Sequence, residues 1–160
     1  MLGALLPGAQ HLQNVHPLFV HFPIAFLYAA ALLYFLAWAA EREAWAWTGL
    51  WLLTLGAVSA AAAVGTGLYG AEGVMIARSV KAHLLINHKR IMLGVAALSV
   101  VLDAWAMAAR PMPSRGRFYF LALLVVLVAG LTVGADFGGR MVYDYNAGGD
   151  ACGQPIEFTR

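Results

Sequence analysis

The chain has 160 residues, of which 62% are hydrophobic and 11% charged, with a mean hydropathy of +0.74. Soluble domains carry about a quarter charged residues, so this composition excludes an ordinary soluble enzyme and points to a polytopic membrane protein. A net charge of +2 with no dense basic cluster also argues against a nucleic-acid partner.

Crossing a hydrocarbon core takes roughly 20 apolar residues in helical form. Four runs meet that length, at about 18–40, 48–69, 88–109 and 118–137. They consume most of the chain, so the expectation is an all-α, integral membrane four-helix bundle forming a single four-span domain over 1–160. The apolar patch Leu2–Leu6 is too short for a secretory h-region and lacks a basic start, so the first span is expected to act as its own targeting signal.

The first span opens at His16-Pro17-Leu18-Phe19-Val20-His21-Phe22-Pro23. Pro17 suits a first helical position and pushes His16 out of the α region. Pro23 removes the hydrogen bond to the carbonyl of Phe19, so the helix is expected to kink or to begin there. After Glu41–Glu43 the second span carries small residues spaced by three and four, Gly56, Ala60, Ala63 and Gly67, and ends in Gly65-Thr-Gly-Leu-Tyr-Gly70. The connection 71–82 reads as an amphipathic interfacial segment. The third span opens at His83-Leu-Leu-Ile-Asn-His88 and ends at Arg110-Pro-Met-Pro113. The fourth carries Gly130, Gly134 and Gly138 and opens into a polar tail from Asp136 to Arg160.

Counting crossings puts His16, His21, His83 and His88 on one side of the membrane, together with both termini and the two glycine-rich helix ends. The five tryptophans, at 38, 45, 47, 51 and 105, fall near the other face, as an interfacial belt does. Arg110, Arg115 and Arg117 are the densest local basic signal. They place their loop in the cytoplasm and the histidines in the periplasm of a bacterial inner membrane.

Four of the five histidines thus stand as two pairs, each five residues apart, at the mouths of two spans. One histidine near an interface often does no more than bond a carbonyl or a headgroup. Matched pairs on two spans are costly groups that default to a functional reading. A five-residue step rises roughly 7.5 Å and turns about 140°, so the members of a pair do not share a face. Residues of like depth are then His16 with His83 and His21 with His88. A bis-imidazole haem needs one ligand from each of two facing helices. The favoured axial ligands are therefore His21 and His88, slightly ahead of His16 and His83, with Gly67, Gly130 and Gly134 forming a flat slot. Taken alone, those glycines signal close helix packing just as well.

The cofactor expected is haem b, one group or two. Its role would be electron transfer between a cytochrome or a larger membrane redox complex and quinone, with the lipid bilayer as surroundings. Two alternatives stay open. One is a structural or assembly subunit; the other is a copper- or iron-binding membrane protein without porphyrin, using His16, His21, His83 and His88. No phosphate-binding loop, paired nucleophile or CxxCH sequence occurs. The single Cys152 rules out an internal disulfide and is given no role. Asp103, inside the third span, is expected to cap or to pair with Arg42 or Arg110 rather than relay protons.

The string HPLFVHFPIAFLYAAALLY, the ending GTGLYG of the second span, Ala82, His83, His88 and Gly94 at the mouth of the third, and the tail GADFGGRMVYDY together extend over nearly the whole chain. In these the sequence resembles an uncharacterised family of small four-span bacterial membrane proteins with an HPLxVHFP opening. Relatives in that family are often fused to, or encoded beside, c-type cytochrome domains. The resemblance implies a periplasmic redox context; it does not by itself imply a haem.

Overall fold

The computed structural model describes residues 15–74, 76–145 and 147. It is an all-α bundle, as the composition requires. Helix α1 is a single turn, His16–Phe19, and α2 runs His21–Ala40; α3 is Glu43–Gly70, followed by a 3₁₀ turn at Ala71–Gly73. A short α4, Arg78–Val80, passes through a π turn at Lys81–Leu85 into α5, Ile86–Ala109, and α6 is Arg117–Tyr143. These group into four helical stretches long and apolar enough to cross a membrane: His16–Ala40, Glu43–Gly73, Arg78–Ala109 and Arg117–Tyr143. Backbone groups in hydrocarbon must be satisfied within the segment, which is why such runs are helical throughout.

Three local outcomes differ from the sequence reading. The first span breaks at Val20 rather than at Pro23, which lies in the first turn of α2. A missing N–H costs nothing there, because first-turn amides have no intrahelical partner. The connection 71–82 is not a separate amphipathic helix, since the third span begins at Arg78 and absorbs its second half. Helix α6 continues to Tyr143 instead of dissolving into a polar tail after Asp136. An Arg140–Asp144 ion pair of 3.6 Å, one turn apart, ties that extension.

Successive spans pack side by side, and the fourth closes back against the first. Leu27, Tyr34, Leu53, Leu102, Phe120, Leu124, Leu127 and Leu131 form the fully buried centre. The face of α3 carrying Gly56, Ala60 and Ala63 is buried. A Cβ at Gly56 would collide with the side chain of Leu27, so this stripe is what lets the first two spans approach closely, the usual membrane device. Towards the end opposite the histidines, Phe120 takes Tyr34 and Trp105 edge-on, with centroids at 4.9 and 5.7 Å. The Tyr34 hydroxyl donates to the carbonyl of Pro111 at 3.0 Å, fastening the 110–116 loop to the core.

Polar side chains along the spans join them in pairs. Tyr28 and Thr132 share a hydrogen bond between the first and fourth. Asp103 accepts from the Thr54 hydroxyl at 2.7 Å, joining the second and third. Asp103 is therefore satisfied by a hydroxyl from its neighbour helix, and not by Arg42 or Arg110 as the sequence had led us to expect. Trp38, Trp45, Trp47 and Trp51 are exposed on the same end as the Arg110–Arg117 loop, the position of an aromatic belt.

Candidate functional site

The break at Val20 decides where the first pair of histidines goes. His16 begins α1, and α1 lies against α3. Its ring rests on the second span at Gly67, where an added Cβ would stand 2.9 Å from the imidazole Cε1. His16 Nδ1 is 3.3 Å from the Thr66 hydroxyl oxygen. That hydroxyl already gives its hydrogen to the carbonyls of Ala62 and Ala63, each at 3.0 Å, so towards His16 it accepts.

His21 opens α2 on the other side of the break. It is exposed, and its Nδ1–H donates to the carbonyl of Pro17 at 2.9 Å. In an unbroken helix that carbonyl would accept from the amide of residue 21; here the imidazole of the same residue takes over. His21 therefore serves the local bend.

The π turn has a comparable effect on the third span. Its extra residue rotates what precedes it relative to α5, and such insertions are frequent at functional sites. His88, within α5, points to the fourth span and donates its Nδ1–H to the carbonyl of Gly134 at 2.7 Å. Its ring lies on Gly138, where a Cβ would sit 3.1 Å from Cε1. His83, within the π turn, is exposed and meets Phe137 edge-on with centroids 6.3 Å apart. It borders a shallow cavity of about 250 Å³ with Ser79, Leu84, Arg140 and Tyr145.

The outcome is a cross pair. His16 and His88 meet edge-on, with ring centroids 6.4 Å apart and planes at 78°. The structure brings His16 to His88 rather than joining residues of equal depth; His21 bonds the carbonyl of Pro17 and His83 meets the ring of Phe137. Equal depth assumed two uninterrupted helices, and neither span is one. Among the glycines, Gly67 seats His16, and Gly134 supplies the carbonyl held by His88 while fitting Met92 and Ile91 closely. Gly130, one turn deeper, faces Val95 and serves helix packing. Sequence reasoning missed Thr66, although its position between Gly65 and Gly67 was a usable signal, and it treated Gly138 as a member of a ridge rather than as a seat.

Each imidazole is thus seated on a glycine of the next span, and His88 spends its Nδ1–H on a carbonyl of that span. This is the arrangement that fixes a ligating histidine: one ring nitrogen is oriented by a hydrogen bond, so the lone pair stays on the other. Among the described residues no group of three or more His, Cys, Asp or Glu side chains could hold a metal ion. The four-imidazole copper or iron site weighed from the sequence is not assembled among them. His11 and Cys152 lie outside the described residues.

The chain belongs to DUF2231, a family described as a predicted membrane protein, which matches residues 12–151. It matches no curated protein and no solved structure significantly.

Proposed function

We propose that this DUF2231 protein is a membrane-bound b-type haem protein that passes electrons near one membrane face, with His16 and His88 as the axial ligands. The observation that carries the reading is the His16–His88 ring pair, with the Nδ1–H of His88 held by the carbonyl of Gly134. A bare zinc ion asks the protein for about four donors, whereas haem iron brings its equatorial nitrogens with it and asks for two. A two-imidazole donor set fits the latter.

Bound there, the haem would supply a one-electron couple, held by His16 and His88, which suits electron transfer. The protein's own part is orientation. Thr66 and Gly134 fix the two rings, and Gly67 and Gly138 keep the neighbouring helix surfaces flat beside them. The site lies at one end of a core about 30 Å thick, so a partner must complete any route across it. In our reading the histidine side is periplasmic in a bacterial inner membrane, the donor is a c-type cytochrome or partner complex, and the acceptor is quinone.

A second reading rests on the same hydrogen bonds. His16 fastens the first span to the second and His88 the third to the fourth, so the pair could serve assembly alone, as a structural subunit of a larger membrane complex. A visible spectrum of the purified protein, oxidised and then reduced with dithionite, separates the two. Bis-histidine haem gives a sharp Soret band that moves to the red on reduction, with resolved α and β bands. Colourless protein purified from haem-replete cells eliminates the haem reading in favour of the structural one.

A further inference from the structure

At the opposite end of the bundle from the histidines, a cavity of about 320 Å³ opens between the α2–α3 turn and the loop before α6, lined by Trp38, Glu41, Arg42, Glu43, Met112 and Arg117 among others. The Nε of Arg117 is buried and has no hydrogen-bond partner. A buried donor on a permanent cation is costly when left unmatched, and native structures almost always supply an acceptor. No carboxylate fills that role: among the described residues the ion pair present is Arg140–Asp144, at the other end of the molecule, so neither arginine of the cavity is bridged to Glu41 or Glu43.

Two further features favour an anionic oxygen. Helices α3 and α6 both begin at this cavity, and neither has a side-chain cap on its first amides, which leaves the positive ends of two long helices directed at one place. The site also lies at headgroup level. Trp38 packs edge-on against Phe118 at 6.0 Å, and Trp45, Trp51 and Tyr119 are exposed around it, as side chains at the membrane–water boundary are.

The carboxylates narrow the ligand class. Glu41 and Glu43 share the rim with the arginines, and Glu43 already accepts from Trp47 Nε1 at 3.3 Å. Two cations and two anions suit a ligand that carries both signs, and they disfavour one that is only negative. We propose that this cavity binds a phosphoethanolamine headgroup. Arg117 and Arg42 take its phosphodiester oxygens, and Glu41 and Glu43 accept from its primary ammonium. The group comes either from membrane phosphatidylethanolamine or from a free headgroup compound.

The test is lipid retention by the intact protein, measured by native mass spectrometry after exposure to equal amounts of phosphatidylethanolamine, phosphatidylcholine and phosphatidylglycerol. We expect phosphatidylethanolamine to be retained several-fold over the other two. The quaternary ammonium of phosphatidylcholine has no N–H to donate, and phosphatidylglycerol has no cation for the glutamates. Arg117→Gln should remove the preference, Arg117→Lys should keep part of it, and Arg115→Gln, at an exposed residue outside the cavity, should leave it intact. Displacement of the lipid by millimolar O-phosphoethanolamine assigns the site to the free headgroup as well; retention against it assigns the site to the lipid. Equal retention of all three lipids, a preference for phosphatidylglycerol, or an Arg117→Gln profile identical to wild type overturns the proposal.

Discussion

His88 reaches across to the fourth span and donates its Nδ1–H to the carbonyl of Gly134, 2.7 Å away. Gly138 makes that possible, because a Cβ there would come within 3.1 Å of the imidazole Cε1. A side chain from one span and two bare backbone positions from the next thus fix one ring, and Thr66 with Gly67 does the same for His16.

The first prediction concerns which histidines matter. His16→Ala and His88→Ala should each abolish the haem spectrum. His21→Ala should keep it, since its imidazole serves the carbonyl of Pro17, and His83→Ala should keep it too, since that ring lies on Phe137. Pyridine-haemochrome assays of the four purified variants decide this. Haem retained without His16 and His88 would send the ligand assignment elsewhere.

Gly67→Ala and Gly138→Ala test the seats. The added methyl lies 2.9 Å from Cε1 of His16 in one case and 3.1 Å from Cε1 of His88 in the other, so each ring must shift. Overpacking of this kind costs about 1–3 kcal/mol. We expect a shifted or weakened Soret band with the secondary structure intact by circular dichroism. Gly65→Ala, where a Cβ meets nothing within 4 Å, is the matched control and should behave as wild type.

Thr54→Val removes the hydroxyl that donates to Asp103 at 2.7 Å. Hydrogen bonds between membrane helices average about 0.6 kcal/mol and reach about 1.7. Here an acid inside a span also loses its donor, so the upper part of that range is expected. Thr54→Ser should be close to neutral. Denaturant titrations of the detergent-solubilised variants read the difference, and equal midpoints for Val and Ser would show that the bond contributes nothing.

Tyr34→Phe removes the donor to Pro111 while keeping the ring that Phe120 packs against at 4.9 Å. One hydrogen bond contributes about 0.5–1.5 kcal/mol net, so a modest loss of stability is expected. Hydrogen exchange in the 110–116 loop should rise with it, while exchange at the histidine end should stay unchanged.

How much of this was legible beforehand follows from the physics of each feature. The spans come from composition and run length, because lipid leaves a chain of this hydropathy no other way to satisfy its backbone. The stripe at Gly56, Ala60 and Ala63 was readable as a packing face, and it is one. The histidines were readable as a group at one end of the bundle, yet their partnership was not. Their pairing depended on the interruption at Val20 and the residue gained between Lys81 and Leu85, and neither has a spacing signature. Likewise Asp103 stood out as a costly buried acid, but its donor, Thr54, sits on a different helix, and only the crossing of the second and third spans brings the two together.

By itself, then, the sequence determined that this protein crosses a membrane as helices, because burying unpaired peptide groups in hydrocarbon is prohibitive and an apolar run of span length leaves only the helix. It determined also that imidazoles and glycines would collect at one end. Only the tertiary structure decided that His16 meets His88, that Thr66 and Gly134 lie against their ring nitrogens, and that Arg117 at the other end holds a buried donor beside a cavity. Those outcomes turn on shifts of a single residue along a helix, each of which swings a side chain by about 100°.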